Sequence, residues 1–223
     1  KGNIDDSNNR ATSVTGVTSN AVGLVDGFDR SVNSVIFSAK TRLWNDKLDL
    51  VYGGRVDDYS DFGTESSPRA GIIYYPSEDN AIKYLYGEAY RAPTAVDVLG
   101  EPPDGTSPVA GGAGPEFITS HELVFMKQAQ SWKSELIFFK SIWKDGIVVG
   151  PGSPPFVGQF INQARNSSKG IEYSYNWLGD DWKLDSSFSY VRSQNETTNF
   201  DYDAFPQVIA NLGVGYTLPD KKT

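Results

Sequence analysis

After the first thirty positions, apolar and polar residues alternate one by one through most of the chain, and no segment sustains a helical period. The alternation is plainest near the end. Ile171, Tyr173, Tyr175 and Trp177 interleave with Glu172, Ser174 and Asn176, and Trp182, Leu184, Phe188 and Tyr190 interleave with Lys183, Asp185, Ser187 and Ser189. Val208, Ala210, Leu212, Val214, Tyr216 and Leu218 repeat the pattern against a face with Gln207, Asn211, Gly213 and Thr217. Earlier, Leu48, Leu50, Tyr52 and Val56 separate in the same way from Asp49, Arg55 and Asp57. A period of two belongs to a strand whose side chains point alternately to opposite faces. About nine strands are predicted, at residues 32–44, 47–59, 68–75, 81–91, 117–129, 132–148, 160–178, 182–193 and 207–218. Residues 1–30, rich in Asn, Ser, Thr, Asp and Gly, read as a polar loop.

The connections sort into two kinds. Residues 45–46, 77–80, 130–131, 179–181 and 219–221 are short and made of turn residues. Between them come longer connections at 60–67, 92–116, 149–159 and 194–206. Strict alternation of tight turns and long loops matches the periplasmic and extracellular ends of an outer-membrane β-barrel, and the loop at 1–30 then lies at the extracellular end. Aromatic residues fit two interfacial belts. Trp44, Tyr74, Tyr75, Tyr84, Trp132, Trp177, Trp182 and Tyr216 lie near the short turns; Tyr59, Tyr90, Trp143, Tyr190 and Phe205 lie near the long loops. The fold expected is an all-β antiparallel meander. A soluble β-sandwich or lectin-like binding module, or another outer-membrane channel, shares much of this patterning.

Charge and composition narrow the function. The formal net charge of −8 leaves no basic field for a phosphate backbone, so no nucleic-acid partner is expected. With no cysteine, disulfide staples and thiolate chemistry are excluded. No apolar run reaches the roughly 18 residues of a transmembrane helix, a test that spanning strands evade because their two faces average out. No secretory signal pattern opens the chain, so Lys1 is expected to lie inside a longer reading frame.

Catalytic constellations are missing, so no enzyme activity and no cofactor are expected. His121 is the only histidine and shares a face with Leu123 and Phe125, as an ordinary strand residue would. Asp57, Asp58 and Asp61 form a weak calcium candidate, since their spacing lacks the ligand count of a defined calcium loop. Arg91, at a strand mouth, has a guanidinium that can hold an anionic ligand bidentately or pair with a neighbouring carboxylate such as Glu88 or Asp97. Tyr90, Phe156 and Phe200 complete the candidate ligand-binding set.

Several phrases resemble the TonB-dependent receptors of Gram-negative outer membranes. They are Gly54-Arg55-Val56-Asp57-Asp58-Tyr59-Ser60-Asp61-Phe62-Gly63, then Ser67-Pro68-Arg69-Ala70-Gly71, and Tyr90-Arg91-Ala92-Pro93-Thr94. Pro115-Glu116 with Ser120-His121-Glu122-Leu123, and Asn162 with Lys169-Gly170-Ile171-Glu172, continue the resemblance in order. It implies that residues 31–223 are a segment of a 22-stranded transmembrane barrel in the cell outer membrane. It implies, too, a small ligand such as a ferric siderophore, cobalamin or haem, with siderophore uptake the first expectation. The TonB complex would act through a plug domain absent from this chain, placing the energised step elsewhere. The haem branch's Asn-Pro-Asn-Leu box does not occur here, which argues against haem.

Overall fold

The computed structural model describes residues 9–20, 28–100, 109–154, 156–201 and 206–218. Ten strands follow one another in a single antiparallel meander: β1 (Asn9–Asn20), β2 (Asp29–Leu43), β3 (Leu48–Tyr59), β4 (Gly63–Ser77), β5 (Asn80–Arg91), β7 (Glu116–Gln128), β8 (Trp132–Pro151), β9 (Gly158–Leu178), β10 (Trp182–Asn195) and β11 (Val208–Tyr216). A short helix α1 (Ala95–Leu99) and a two-residue strand β6 (Val109–Ala110) lie in the loop after β5, and β6 pairs in parallel with the start of β9.

The pairing register sorts the side chains. Leu43, Leu48, Tyr74, Ile82, Phe125, Leu136, Tyr173 and Phe188 fall in one row across eight strands, because each lies directly opposite the next. The alternate rows carry Lys40, Asp49, Arg55, Asp57, Ser141, Ser168, Glu172 and Ser187. The first face is apolar and exposed along its length, from Val35 and Phe37 through Phe138 and Ile171 to Val214. Buried hydrophobic residues among those described are only Ala39, Ala81, Val109, Ala113 and Val124. A sandwich would cover one apolar face with a second sheet. No second sheet is present among the described residues, so the soluble-sandwich alternative loses its footing, and the chain is a segment of barrel wall.

Three expectations change. Asn9–Asn20 is a strand inside the segment read as a polar loop. It pairs with β2 from Asn9↔Ala39 to Asn20↔Asp29, and its β-branched residues Thr12, Val14, Thr15, Val17 and Thr18 suit a strand without apolar alternation. The connection expected over residues 60–67 shrinks to residues 60–62, because β4 pairs with β3 out to Gly63. The loop expected at 149–159 likewise shortens to residues 152–157 as β8 and β9 run on to Pro151 and Gly158. On its other side, β4 stops pairing with β5 at Arg69↔Gly87, one residue short of Pro68. Proline has no N–H to extend a ladder.

The second aromatic belt also divides. Tyr190 is exposed on the apolar face, whereas Trp143 lines a cleft on the polar face and Tyr59 and Tyr90 join a buried carboxylate there. Phe205 lies outside the described residues. Among the described residues no helix is long and apolar enough to cross a membrane, which says nothing about crossing by strands.

Candidate ligand vestibule at the long-loop end

Where the strands leave the apolar band, charged side chains lash strands and loops together. Arg30, at the outer end of β2, donates to both carboxylate oxygens of Asp61 at 3.0 and 3.1 Å from Nε, and from a terminal nitrogen at 2.6 Å. Its other terminal nitrogen donates to the Pro93 carbonyl at 2.7 Å. The guanidinium also lies 5.1 Å from the centroid of Phe62, which stacks on Tyr59. One cation thus ties β2, the β3–β4 turn and the loop after β5.

Asp57 sits beside this cluster, 1% exposed. It accepts from Arg55 Nε at 2.6 Å, from Tyr90 Oη at 2.6 Å and from the Ser34 hydroxyl. Charge-assisted bonds of this kind offset the cost of taking a carboxylate out of water. Asp58 instead accepts from Thr64 Oγ1 at 2.8 Å. The three carboxylates of the calcium candidate therefore face three different partner sets. Neighbouring positions 57 and 58 of a strand point to opposite faces, so they cannot share one ion. Among the described residues no His, Cys, Asp and Glu cluster of metal-holding geometry occurs.

Arg91 is committed to protein carboxylates. It lies directly opposite Glu116 in the β5–β7 ladder, donates to it through Nε and reaches Asp97 at 3.5 Å. Glu88, the other partner considered from sequence, accepts from Tyr86. Glu116 is 6% exposed, and its second oxygen accepts from the Ile147 amide at 2.7 Å, bridging β5, β7 and β8. Asp97 serves α1 as well: Thr94 and Asp97 form a reciprocal capping box, and the Asp97 carbonyl accepts from the amides of Gly112 and Ala113. Gly100 has φ +89°, and a Cβ on Gly111 would overlap the Val98 carbonyl, so both glycines are required where the loop doubles back.

Asn162 closes the structure. Its Oδ1 accepts from the Gly114 amide at 2.6 Å, and its Nδ2 donates to the carbonyls of Asp145, Gly114 and Pro115 at 2.7, 3.0 and 3.2 Å. Asp145 is the left-handed residue at the β8 bulge, φ +54°. Asn162→Ala is expected to loosen this region by about 2 kcal/mol, since several bonds are lost and buried backbone groups are left unpaired. Amide exchange over residues 109–116 in the intact protein should then accelerate; unchanged exchange would show that the loop holds itself.

Phe156 and Phe200 remain free for contact, 38% and 75% exposed on the β8–β9 and β10–β11 loops. On the polar face is a cleft of about 330 Å³ lined by residues including Ile118, Ser141, Trp143, Asn166, Ser168 and Ser193. The Asn166 Oδ1 is buried there without a hydrogen-bond partner among the described residues. Sequence reasoning missed this cleft, because a serine every other position looks like any polar strand face. It missed Arg30 too, which stood at the end of a segment read as loop. At the start of the β10–β11 loop, the Glu196 carboxyl is held below the usual carboxylate range by Arg165 of β9, which donates to it.

The family model for "TonB dependent receptor-like, beta-barrel" matches residues 2–221. No curated protein sequence matches the chain. Among solved structures, the siderophore receptor PirA from Acinetobacter baumannii is similar with TM-score 0.75 and 19% identity, over 88% of this chain and 33% of that one. A mutant of the ferric enterobactin receptor PfeA from Pseudomonas aeruginosa matches with TM-score 0.72 and 18% identity, over 86% and 31%. The alcaligin outer-membrane receptor FauA from Bordetella pertussis matches with TM-score 0.68 and 16% identity, over 86% and 35%. These likenesses establish the fold, and the chain spans about a third of the length of each of these structures.

Proposed function

This chain belongs to the TonB-dependent receptor β-barrel family, and on that premise we propose that it is part of the wall of a 22-stranded outer-membrane receptor that imports a ferric siderophore. The observation that carries the reading is the ten-strand antiparallel wall with an exposed apolar outer face, a charged inner face and folded loops at one end. In lipid the outer strands β1 and β11 need neighbours, because an open sheet edge leaves backbone groups unpaired. The rest of the barrel would supply those neighbours, and a plug would occupy the lumen and engage the TonB complex. The similar structures are receptors for siderophores, which favours that ligand class over cobalamin or haem.

Within the vestibule, Phe156 and Phe200 are proposed to touch the ligand, with the Trp143 and Asn166 cleft on the polar face. Arg91 and Tyr90 stand at the same mouth. Their bonds to Glu116 and Asp57 brace the loops that form it, and Arg91, with a half-exposed guanidinium, keeps a side open to an anionic group.

Uptake of radioactive iron by iron-starved cells carrying the full-length protein, offered purified ferric siderophores in turn, tests the reading. Energy-dependent uptake of one of them is expected, abolished by deletion of the gene. For that siderophore, Phe156→Ala with Phe200→Ala should weaken binding by roughly thirtyfold, the scale of losing aromatic anchors in an interface. Full uptake without the gene would sink the transport reading, and unaltered affinity would remove these two residues from the site.

A further inference from the structure

The outward face of β7 to β10 carries a row of cations that ligand import does not use. His121 lies directly opposite Lys140, Lys140 opposite Lys169, and Lys169 opposite Arg192. Directly opposed residues share a face with Cβ atoms about 4.5–5.5 Å apart. One row nearer the short turns, the same register aligns Leu123, Phe138, Ile171 and Tyr190, all exposed. The cations therefore crown the apolar face. From Lys169 to Trp177, in the belt near the short turns, β9 rises about 27 Å, or roughly 20 Å of depth for a strand tilted 35–45°. That is close to the height of a barrel's lipid-facing band, about 25 Å, so the row stands at the headgroup level of the leaflet on the long-loop side.

Like charges set directly opposite one another destabilise a sheet unless something neutralises them. Arg192 has its own partner, donating to both oxygens of Asp201 at 3.0 and 3.1 Å. His121 is engaged through Nδ1 with Tyr84 Oη at 2.8 Å. Lys140 and Lys169 are exposed and adjacent, and make no ion pair among the described residues; Arg165 already holds nearby Glu196. Two ammonium groups this close suit a phosphate monoester, whose several oxygens and double charge can accept from both. A soluble anion would gain nothing from Phe138 and Ile171 immediately below. A phosphate borne on acyl chains uses both rows.

We infer that the outward face of β7 to β10 docks a phosphorylated glycolipid of the outer leaflet, its phosphate bridged by Lys140 and Lys169 and its acyl chains lying against Phe138 and Ile171. The inference rests on the outer-membrane reading above. It is tested on the full-length protein, purified from outer membranes in detergent, by native mass spectrometry with bisphosphorylated lipid A, dephosphorylated lipid A and inorganic phosphate as probes. Lys140→Gln with Lys169→Gln should lower lipid A binding by about thirtyfold, the worth of two cations at a charged membrane surface. Lys140→Arg with Lys169→Arg should retain it, and dephosphorylated lipid A should bind as weakly to the wild type as lipid A does to the glutamine variant. Equal binding by wild type and glutamine variant would overturn the inference, as would displacement of the lipid by millimolar inorganic phosphate. Fractionation and gel mobility without heating separate the two readings. A protein that is not a folded outer-membrane barrel refutes both, while a folded barrel with indifferent lipid binding refutes only the docking site.

Discussion

Phe188→Arg is expected to destabilise the inserted barrel by about 3 kcal/mol, the cost of an arginine near the middle of the lipid-facing band. Phe188 is exposed on the outward face, directly opposite Tyr173 on one side and Ala210 on the other. It lies two rows below the Lys169 row and within the apolar band, so no headgroup is in easy reach of the new cation. Ser189→Arg is the matched control one residue along β10. It faces the opposite way, directly across from Glu172, and the added cation gains a partner there. Urea unfolding of the full-length protein in lipid vesicles measures both. A large loss for Phe188→Arg beside a small change for Ser189→Arg is the expected pattern. Equal losses would mean that the two faces do not meet lipid and water as assigned.

Asp49→Ala should cost a similar amount, about 3 kcal/mol, through the opposite face. Asp49 is fully buried and accepts from Arg42 Nε at 2.8 Å, Lys40 Nζ at 2.9 Å and Tyr75 Oη at 3.0 Å, tying β2, β3 and β4 together near the short turns. Removing the carboxylate leaves two cations facing each other and a phenol without its acceptor. Both cations are partly exposed, so the lower end of the usual range for breaking a buried pair applies. Asp49→Asn keeps the shape and one acceptor, and should lose roughly half as much. The same unfolding assay decides, and a change within experimental error for Asp49→Ala would make the cluster ornamental.

The two predictions differ in how far their premises could be read from sequence. The outward position of Phe188 follows from alternation with Lys183, Asp185, Ser187 and Ser189. The partners of Asp49 do not, since Lys40, Arg42 and Tyr75 converge on it from both neighbouring strands. Arg91 makes the same point. Glu88 and Asp97 were near in sequence, but the buried partner is Glu116, brought opposite Arg91 only when β5 and β7 pair across the intervening loop. Asp57, Asp58 and Asp61 erred in the other direction: close in sequence, they are divided by strand alternation and a turn, and each carboxylate has different partners.

By itself the sequence determined the all-β class, the two unlike faces of the strands and the positions of four tight turns, at 45–46, 77–80, 130–131 and 179–181, while the turn read at 219–221 lies outside the described residues. These are local properties, because a strand's period and a turn's backbone preferences are written within a few residues. Only the tertiary structure decided that Asn9–Asn20 adds a strand, that two loops are short, which charges pair, and that Lys140, Lys169 and Arg192 stand side by side. Those facts depend on register between strands, and the period-two pattern that assigns a residue's face leaves its height against its neighbours open to every shift of two residues.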